Sequence, residues 1–275
     1  MTSTARRMFD LLEPICLVTY LEDETNEEYA ALGHRTYWDG YFAARAAGLG
    51  RVSAEVVDAA FYSFAPGEVA RHIPSAWETA SPAESFAAQQ RGSVASLRRI
   101  LGEQADAPHV ARAADLTLQA AFGAPVAGRV MYAGMRTHPV PEEPLARLWH
   151  AATILREHRG DGHVAALVGA RIGGTEAHIL SALDMGIHPA ESFGRVHHLP
   201  QRRLAAVMEG LRERGLVDAE GRFTDAGRET KQRVEDLTDA AAAAPYESLT
   251  PAELDELIAS LEPITAVLTA PAPTA

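Results

Sequence analysis

Residues 199–229 read LPQRRLAAVMEGLRERGLVDAEGRFTDAGRE. Apolar side chains recur every three or four residues over 204–211, which predicts a helix with one buried face that ends at Gly215. The segment 218–221, DAEG, is typical of a tight turn between two short strands. Thr224 is a good N-cap for the next helix. This stretch therefore predicts a helix, a short β-wing and another helix.

The rest of the chain also follows the helical period. Residues 81–84 (SPAE) and 250–253 (TPAE) are capping boxes with proline at the first helical position, and Pro108 begins another predicted helix. The pair at 173–174 (GG) separates two helical patterns, an arrangement typical of a helix-turn-helix. We expect a mostly α fold, with β structure confined mainly to residues 216–223.

The turn-rich stretch 123–144 predicts a boundary between two domains, because it holds several prolines and glycines. We place a helical domain with a possible ligand pocket at 1–143 and a winged-helix domain at 144–265. Residues 266–275, rich in alanine and proline, are expected to form a disordered tail.

Composition excludes several classes of protein. The 275-residue chain has no apolar run of membrane-spanning length and no signal-peptide pattern, so we expect a cytoplasmic protein. The single cysteine, Cys16, excludes an internal disulfide. The formal net charge of −12 repels phosphate at long range and leaves room only for a local basic face.

Two resemblances follow from motifs. The segment LRERGLVDAEGRFTDAGRE resembles the end of the recognition helix, the wing and the next helix of MarR-type regulators. The matching positions are Leu211, Arg214, Gly215, Leu216, Val217, Thr224 and Gly227. LWHAATILREHRGDGH (148–163), with GYFAARAAGLG (40–50) and FYSFAP (61–66), resembles a helix-turn-helix family of high-GC bacteria. That resemblance implies a two-part protein but no substrate or mechanism.

A dense polar cluster follows the apolar helix that begins near residue 145. The two glycines at 160 and 162 predict a break in this helix, with a new short helix from about 163 to 170. We expect residues 157–163 to line a cavity shared by the two parts of the protein. The candidate ligand-binding residues are His150, Glu157, His158, Arg159, Asp161 and His163. An alternative is purely structural, with the arginines paired to the acids and Asp161 capping a helix.

A second candidate cluster is aromatic. Trp38, Tyr41, Phe42 and Arg45 share one face of a predicted helix. The favoured interpretation is a helix buried in the core. In the functional alternative, Trp38 and Tyr41 form a wall of a small-molecule pocket and Arg45 binds an acidic group of the ligand.

No motif identifies a metal or a cofactor. The spacing of the histidines and acids matches no zinc signature, so we expect no metal, and the cofactor stays unknown. Phosphate-binding glycine loops, dinucleotide fingerprints and nucleophile elbows do not occur either. His197 and His198 fit a loop pair better than a metal site.

The predicted recognition helix and the hairpin that follows it carry the candidate DNA contacts. These are Gln201, Arg202, Arg203, Arg214 and Arg222. Residues 197–233 contain eight basic and six acidic side chains, a local excess of two. This basic face is thin, so DNA binding is most plausible for a homodimer that combines two such faces.

Two hypotheses follow. In the first, the protein is a ligand-responsive transcriptional regulator that binds double-stranded DNA and a small molecule. In the second, it is an enzyme or a ligand-sequestering protein, in which His158, His163, Glu157 and Asp161 act as acid/base groups or ligands and the DNA-binding module is only a scaffold.

Overall fold

The computed structural model describes residues 3–187 and 199–271, and its regular structure is helical, so the expectation of a mostly α fold is confirmed. The α-helices of the described residues are α1 (Thr4–Leu21), α2 (Asp23–Ala31), α3 (Tyr37–Arg45), α4 (Ala54–Phe61), α5 (Ser75–Thr79), α6 (Pro82–Leu101), α7 (Pro108–Gly123), α8 (Val130–Met135), α9 (Pro144–Gly169), α10 (Gly174–Asp184), α11 (Gln201–Glu213), α12 (Asp225–Ala241) and α13 (Pro251–Leu268). Short 3-10 helices lie at Ala47–Leu49, Val69–Arg71, Gly102–Asp106 and Ala244–Ser248.

The capping signals are confirmed. Both capping boxes form, at the start of α6 and of α13, and Pro108 begins α7. The Thr224 hydroxyl accepts a hydrogen bond from the Gly227 amide at the start of α12. Local hydrogen bonds therefore fix where these helices begin.

The largest core lies where α9 packs on α1, α6, α7 and α8, with α13 against α1 and α7. Leu148 and Trp149 of α9 are buried there. The Trp149 indole donates to Thr19 Oγ1 at 3.0 Å, so its one polar atom is satisfied inside the core.

A second, aromatic core is built by α2 to α5 and the loops between them. Tyr41 and Phe42 of α3 are buried, and the Phe42 ring lies 5.9 Å from the Phe61 ring in a stacked arrangement. The favoured interpretation of α3, a helix of the core, is confirmed.

A third core joins the last turns of α9 to α10, α11 and α12. Leu167, Leu183, Leu211 and Val234 contribute one buried side chain from each of these helices. Residues 170–173 form the tight connection between α9 and α10, so the predicted helix–turn–helix break at the glycine pair is confirmed.

The predicted break at residues 160–162 is wrong, because α9 runs without interruption from Pro144 to Gly169. Gly162 is instead a site of close packing. A Cβ atom there would lie 2.5 Å from Arg129 Nη1 and 3.0 Å from the Ala241 Cβ. Tertiary contact, rather than a turn, accounts for the glycine at this position.

The turn-rich stretch 123–144 contains the short helix α8, which packs on α9. The first turns of α9 belong to the largest core and its last turns to the core of α10–α12. The domain boundary at 143/144 stays a prediction, and α9 is the element that both parts share.

The predicted β-wing is wrong. In residues 199–271 no strand forms at 216–223, where a single antiparallel pair joins Val217 and Phe223. The Asp218 amide donates to the Arg222 carbonyl, and the Thr224 amide to Leu216. Because Thr224 already caps α12, the turn has no residues left on that side to extend the pairing.

Some sequence predictions concern residues outside this description. His197 and His198, and residues 272–275 of the expected tail, lie outside the described ranges, whereas α13 continues to Leu268. Within residues 3–187 and 199–271, no helix combines the length and apolarity that a membrane span needs.

Candidate functional site: a cavity behind the helix-turn-helix

A cavity of about 310 Å³ lies between the N-terminal helices and the core of α10–α12. Its walls come from α1, the end of α4 with the two residues that follow, α9, α10 and α12. Most of the 157–163 segment contributes to these walls, while ligand binding by the segment and its position between two domains stay predictions. The members that line the cavity are Glu157, Arg159, Gly160, Asp161 and His163, together with Arg45 of the aromatic cluster.

A bidentate ion pair joins two of the predicted residues across the molecule. Arg45 Nε and Nη2 donate to the two carboxylate oxygens of Glu157 at 3.0 and 3.2 Å. The guanidinium carbon lies 4.2 Å from the centre of the Phe61 ring, and Nη1 donates to the Tyr41 hydroxyl at 3.1 Å. Glu157 is 1% exposed, so its charge depends on this arginine.

The other two arginines of the cavity wall are also paired. Arg156 Nε lies 3.0 and 3.2 Å from the carboxylate oxygens of Glu13. Arg159 donates to Asp239 at 2.7 Å and to Glu235 at 3.3 Å. The structural alternative expected these arginines to pair with Glu157 or Asp161. Their main partners lie instead on α1 and α12, so they tie three helices together around free volume.

Asp161 caps a helix that is distant in sequence. Its two carboxylate oxygens accept hydrogen bonds from the backbone amides of Met131 and Tyr132, in the first turn of α8, at 3.3 and 3.0 Å. Burial raises the pKa of Asp161 to about 6 against the effect of these bonds. The predicted cap of a helix that follows Asp161 is therefore wrong, because Asp161 lies inside α9 and caps α8 instead.

His163 presents one free nitrogen. The Thr238 hydroxyl donates to the Val234 carbonyl at 2.7 Å, so it accepts from His163 Nδ1 at 2.9 Å. This hydrogen bond assigns the proton of the neutral ring to Nδ1 and the lone pair to Nε2. Burial lowers the pKa of His163 and favours the neutral ring.

Four of the predicted ligand-binding residues do not line this cavity. His150 lies in the largest core, where its ring meets Phe86 at 5.8 Å, and His158 packs its ring edge-on at 4.8 Å from Tyr132. Burial lowers the pKa of both imidazoles to about 4. Trp38 and Tyr41 belong to the aromatic core, where the Tyr41 hydroxyl accepts a hydrogen bond from Arg45.

Sequence patterns missed part of the wall, and they pointed to Tyr62 only as an addition to the aromatic cluster. Tyr62 has a positive φ of 61°, and its hydroxyl donates to the Ile172 carbonyl at 2.6 Å, just before α10. Ser181 of α10, and Glu235 and Thr238 of α12, also face the cavity. No local pattern marks Ser181, Glu235 or Thr238, because each contributes through contacts between elements that are far apart along the chain.

The described residues of the cavity wall do not form a metal site. Among the described residues, no group of three or more histidine, cysteine, aspartate or glutamate side chains is arranged to hold a metal ion. Each acid in the cavity wall already accepts hydrogen bonds from arginine, lysine or backbone donors.

The candidate DNA contacts fall into two groups. Gln201, Arg202 and Arg203 are exposed in the first turn of α11, and the arginines form no ion pair with a described residue. Arg214 is paired with Glu176 at 3.0 Å, and Arg222 with Asp218 and Glu220 at 3.1 Å each. Arg214 and Arg222 therefore add little net positive charge to this face.

The model of a helix-turn-helix family matches residues 5–272. The chain belongs to this family. Helix-turn-helix proteins use this motif to bind DNA, so membership supports DNA binding by the chain. No curated protein and no solved structure matches it. Because the match extends from α1 to beyond α13, the cavity helices belong to the family's fold together with α10 and α11.

Proposed function

We propose that this helix-turn-helix protein is a ligand-responsive transcriptional regulator. One observation carries the proposal: the cavity is walled on one side by α10 and α12, which hold α11, and on the other by N-terminal helices. A small molecule in the cavity contacts both sides at once. Its binding therefore favours one position of α11 over others. The likeness of residues 211–227 to MarR-type regulators also supports a regulatory role.

The DNA-binding face is the N-terminal turn of α11. No side-chain hydrogen bond caps this helix, and the Gln201 and Arg202 amides have no acceptor among the described residues, so these amides can meet a phosphate, whose negative charge the helix dipole favours. Arg202 and Arg203 add two exposed charges at the same end. In a homodimer, two such faces contact DNA together, which compensates for the small charge of each one.

Tyr62 connects the cavity to the helix-turn-helix. It lines the cavity, while its hydroxyl holds the Ile172 carbonyl and its own carbonyl packs against Gly174, the first residue of α10. Movement of residues 62–63 on ligand binding is therefore passed directly to the turn that positions α10.

The test is a titration with the DNA upstream of the protein's own gene, at several salt concentrations. In the Arg202→Ala/Arg203→Ala variant, binding should weaken on all sequences, and the slope of log affinity against log salt should fall by about one for each lost phosphate contact. Arg51→Ala/Arg71→Ala is the matched control, because both arginines are exposed and lie in the N-terminal part. Absence of wild-type binding even at low salt contradicts the proposal.

A second candidate, a ligand-sequestering protein or an enzyme, has one observation in its favour: His163 lines the cavity, and its Nε2 has no hydrogen bond to a described residue. Asp161 is a poor catalytic acid, because both its oxygens accept bonds from α8. This candidate predicts a molecule that binds or reacts in the cavity while DNA is not bound at all. The same DNA titration therefore separates it from the regulator.

A further inference from the structure

The arginines of the cavity wall leave no open cation for a ligand. Arg45 is paired with Glu157, Arg156 with Glu13, and Arg159 with two acids of α12. An anionic ligand would have to displace one of these carboxylates and leave it buried without a partner. Removal of one member of a buried pair is strongly unfavourable, so the cavity selects against anions.

The acids are equally occupied. Both Glu157 oxygens accept from Arg45, both Asp161 oxygens accept from α8, and Glu235 accepts from Lys231, Arg6 and Arg159. A cationic ligand would therefore compete with donors that already belong to the protein. The cavity selects against cations for the same physical reason.

The volume of the cavity and its apolar lining residues indicate the size and polarity of the ligand. Apolar residues from five helices line the cavity, among them Phe9, Phe61, Met131 and Leu167. An apolar cavity of about 150 Å³ is large enough for benzene. The volume here is about 310 Å³, twice as large, which fits two fused rings.

His163 offers a hydrogen-bond acceptor that no ion pair of the described residues occupies. His163 Nε2 carries the lone pair and has no partner among the described residues, because Nδ1 holds the bond to Thr238. Ser181 also lines the cavity. An imidazole lone pair accepts a hydrogen bond from a hydroxyl group, and a serine can donate one back.

We propose, on the basis of the regulator assignment, that the cavity binds an uncharged aromatic molecule of two-ring size that donates a hydroxyl hydrogen bond to His163 Nε2. The hydroxyl fixes the orientation of the ligand, and the ring system fills the space between α4, α9 and α10. Such a ligand adds no charge to a wall whose ion pairs are already complete.

The test uses four naphthalene probes on the full chain at pH 7.5, with binding measured by calorimetry. 2-Naphthol carries the hydroxyl, and 2-methoxynaphthalene has the same body without the donor. 2-Naphthoate is the anion and 2-naphthylmethylammonium the cation. We expect 2-naphthol to bind most tightly and each of the others about tenfold more weakly or worse, as expected for one lost hydrogen bond or one uncompensated charge.

The variants His163→Leu and Thr238→Val locate the contact. His163→Leu should remove the preference for 2-naphthol over its methyl ether, and Thr238→Val should reduce it, because the ring then loses the bond that fixes its tautomer. Tighter binding of the anion or the cation, or no binding of any probe, overturns the ligand class. DNA affinity measured in parallel is a separate readout: if 2-naphthol binds and DNA affinity is unchanged, the ligand class stands and the ligand response fails.

Discussion

Two glycines of α9, only two residues apart, have opposite surroundings. Gly162 packs against Arg129, whose guanidinium donates to the His158 carbonyl at 2.6 Å and to the Ala241 carbonyl at 2.7 Å. A Cβ atom at Gly160 would meet only Glu157 Oε2, at 3.7 Å, an ordinary contact. Gly162 is needed for the packing of α9 on Arg129, and Gly160 is not.

Gly162→Ala should therefore lower the free energy of unfolding by about 1–3 kcal/mol, because the new methyl group displaces Arg129 from its two carbonyls. Gly160→Ala is the matched control and should be neutral or stabilising by up to about 1 kcal/mol, since alanine is the better helix former. Urea unfolding of both variants measures the difference. Equal effects would show that Arg129 is not a packing constraint.

Part of the acid sensitivity of the protein should come from His150. This side chain is fully buried, neither ring nitrogen has a hydrogen-bond partner among the described residues, and burial lowers its pKa to about 4. The unfolded chain binds a proton near pH 6.5, so this group contributes stability above pH 6.5 that is lost as the pH falls towards 4.

His150→Leu should remove that loss. The variant is expected to match or exceed the wild type at pH 7.5 and to exceed it by a further ~2 kcal/mol at pH 5, as measured by urea unfolding at both pH values. Asp161 has the opposite effect on the pH dependence of stability, because its pKa is raised to about 6. Its effect cancels in the comparison, since Asp161 is present in both proteins. An unchanged pH dependence would rule out His150 as the acid-sensitive group.

At the scale of elements, the residue that follows α4 packs closely against the start of α10. A Cβ atom at Gly174 would overlap with the Tyr62 carbonyl oxygen, whereas one at Gly169, at the end of α9, would meet no atom within 4 Å. The main chains therefore touch only because residue 174 has no side chain.

Gly174→Ala should separate α10 from residues 62–63. We expect the free energy of unfolding to fall by about 1–3 kcal/mol. We also expect the DNA affinity to change and to become independent of ligand. Gly169→Ala should leave both properties close to the wild type. Thermal unfolding and DNA titration of the two variants check this, and a ligand response preserved in Gly174→Ala would contradict the proposed coupling.

The elements that sequence patterns predicted are those whose signals are local. The capping boxes of α6 and α13, the proline at the start of α7 and the break before α10 each depend on a few neighbouring residues. Helix α8 was missed, because its first turn is capped by Asp161, about thirty residues further on.

In the candidate site, too, sequence patterns predicted local features and missed contacts between distant residues. The polar density at 157–163 was visible in the sequence, and five of those seven residues line the cavity. The partners were not visible: Arg45 lies 112 residues before Glu157, and Thr238 lies 75 residues after His163. Only tertiary contacts decide which polar side chains are paired and which one remains open.

At the scale of the whole molecule, the three cores differ in how firmly they hold each helix. Helix α9 contributes buried side chains along most of its length, whereas on α11 Leu211 is the buried residue. Helix α12 lies between these extremes, since ion pairs from Arg6 and Arg159 tie it to α1 and α9. Local opening should therefore begin at α11.

Hydrogen exchange should reveal this order. We expect the amides of α9 to exchange only through global unfolding, those of α12 at intermediate free energy, and those of α11 through local opening. DNA should protect α11 selectively, because the proposed contact lies in its first turn. Protection of α11 equal to that of α9 in the free protein would contradict this order.

The continuity of α9 also has a consequence for the evolution of the family. Its 26 residues extend roughly 39 Å and serve two cores in succession, so the faces at its two ends are locked in one helical register. Insertion or deletion of one residue in the middle would rotate everything beyond it by about 100° and turn the cavity and helix-turn-helix contacts away from their partners. Family members should therefore vary in length between the helices while α9 keeps the same number of residues, and aligned family sequences can show this directly.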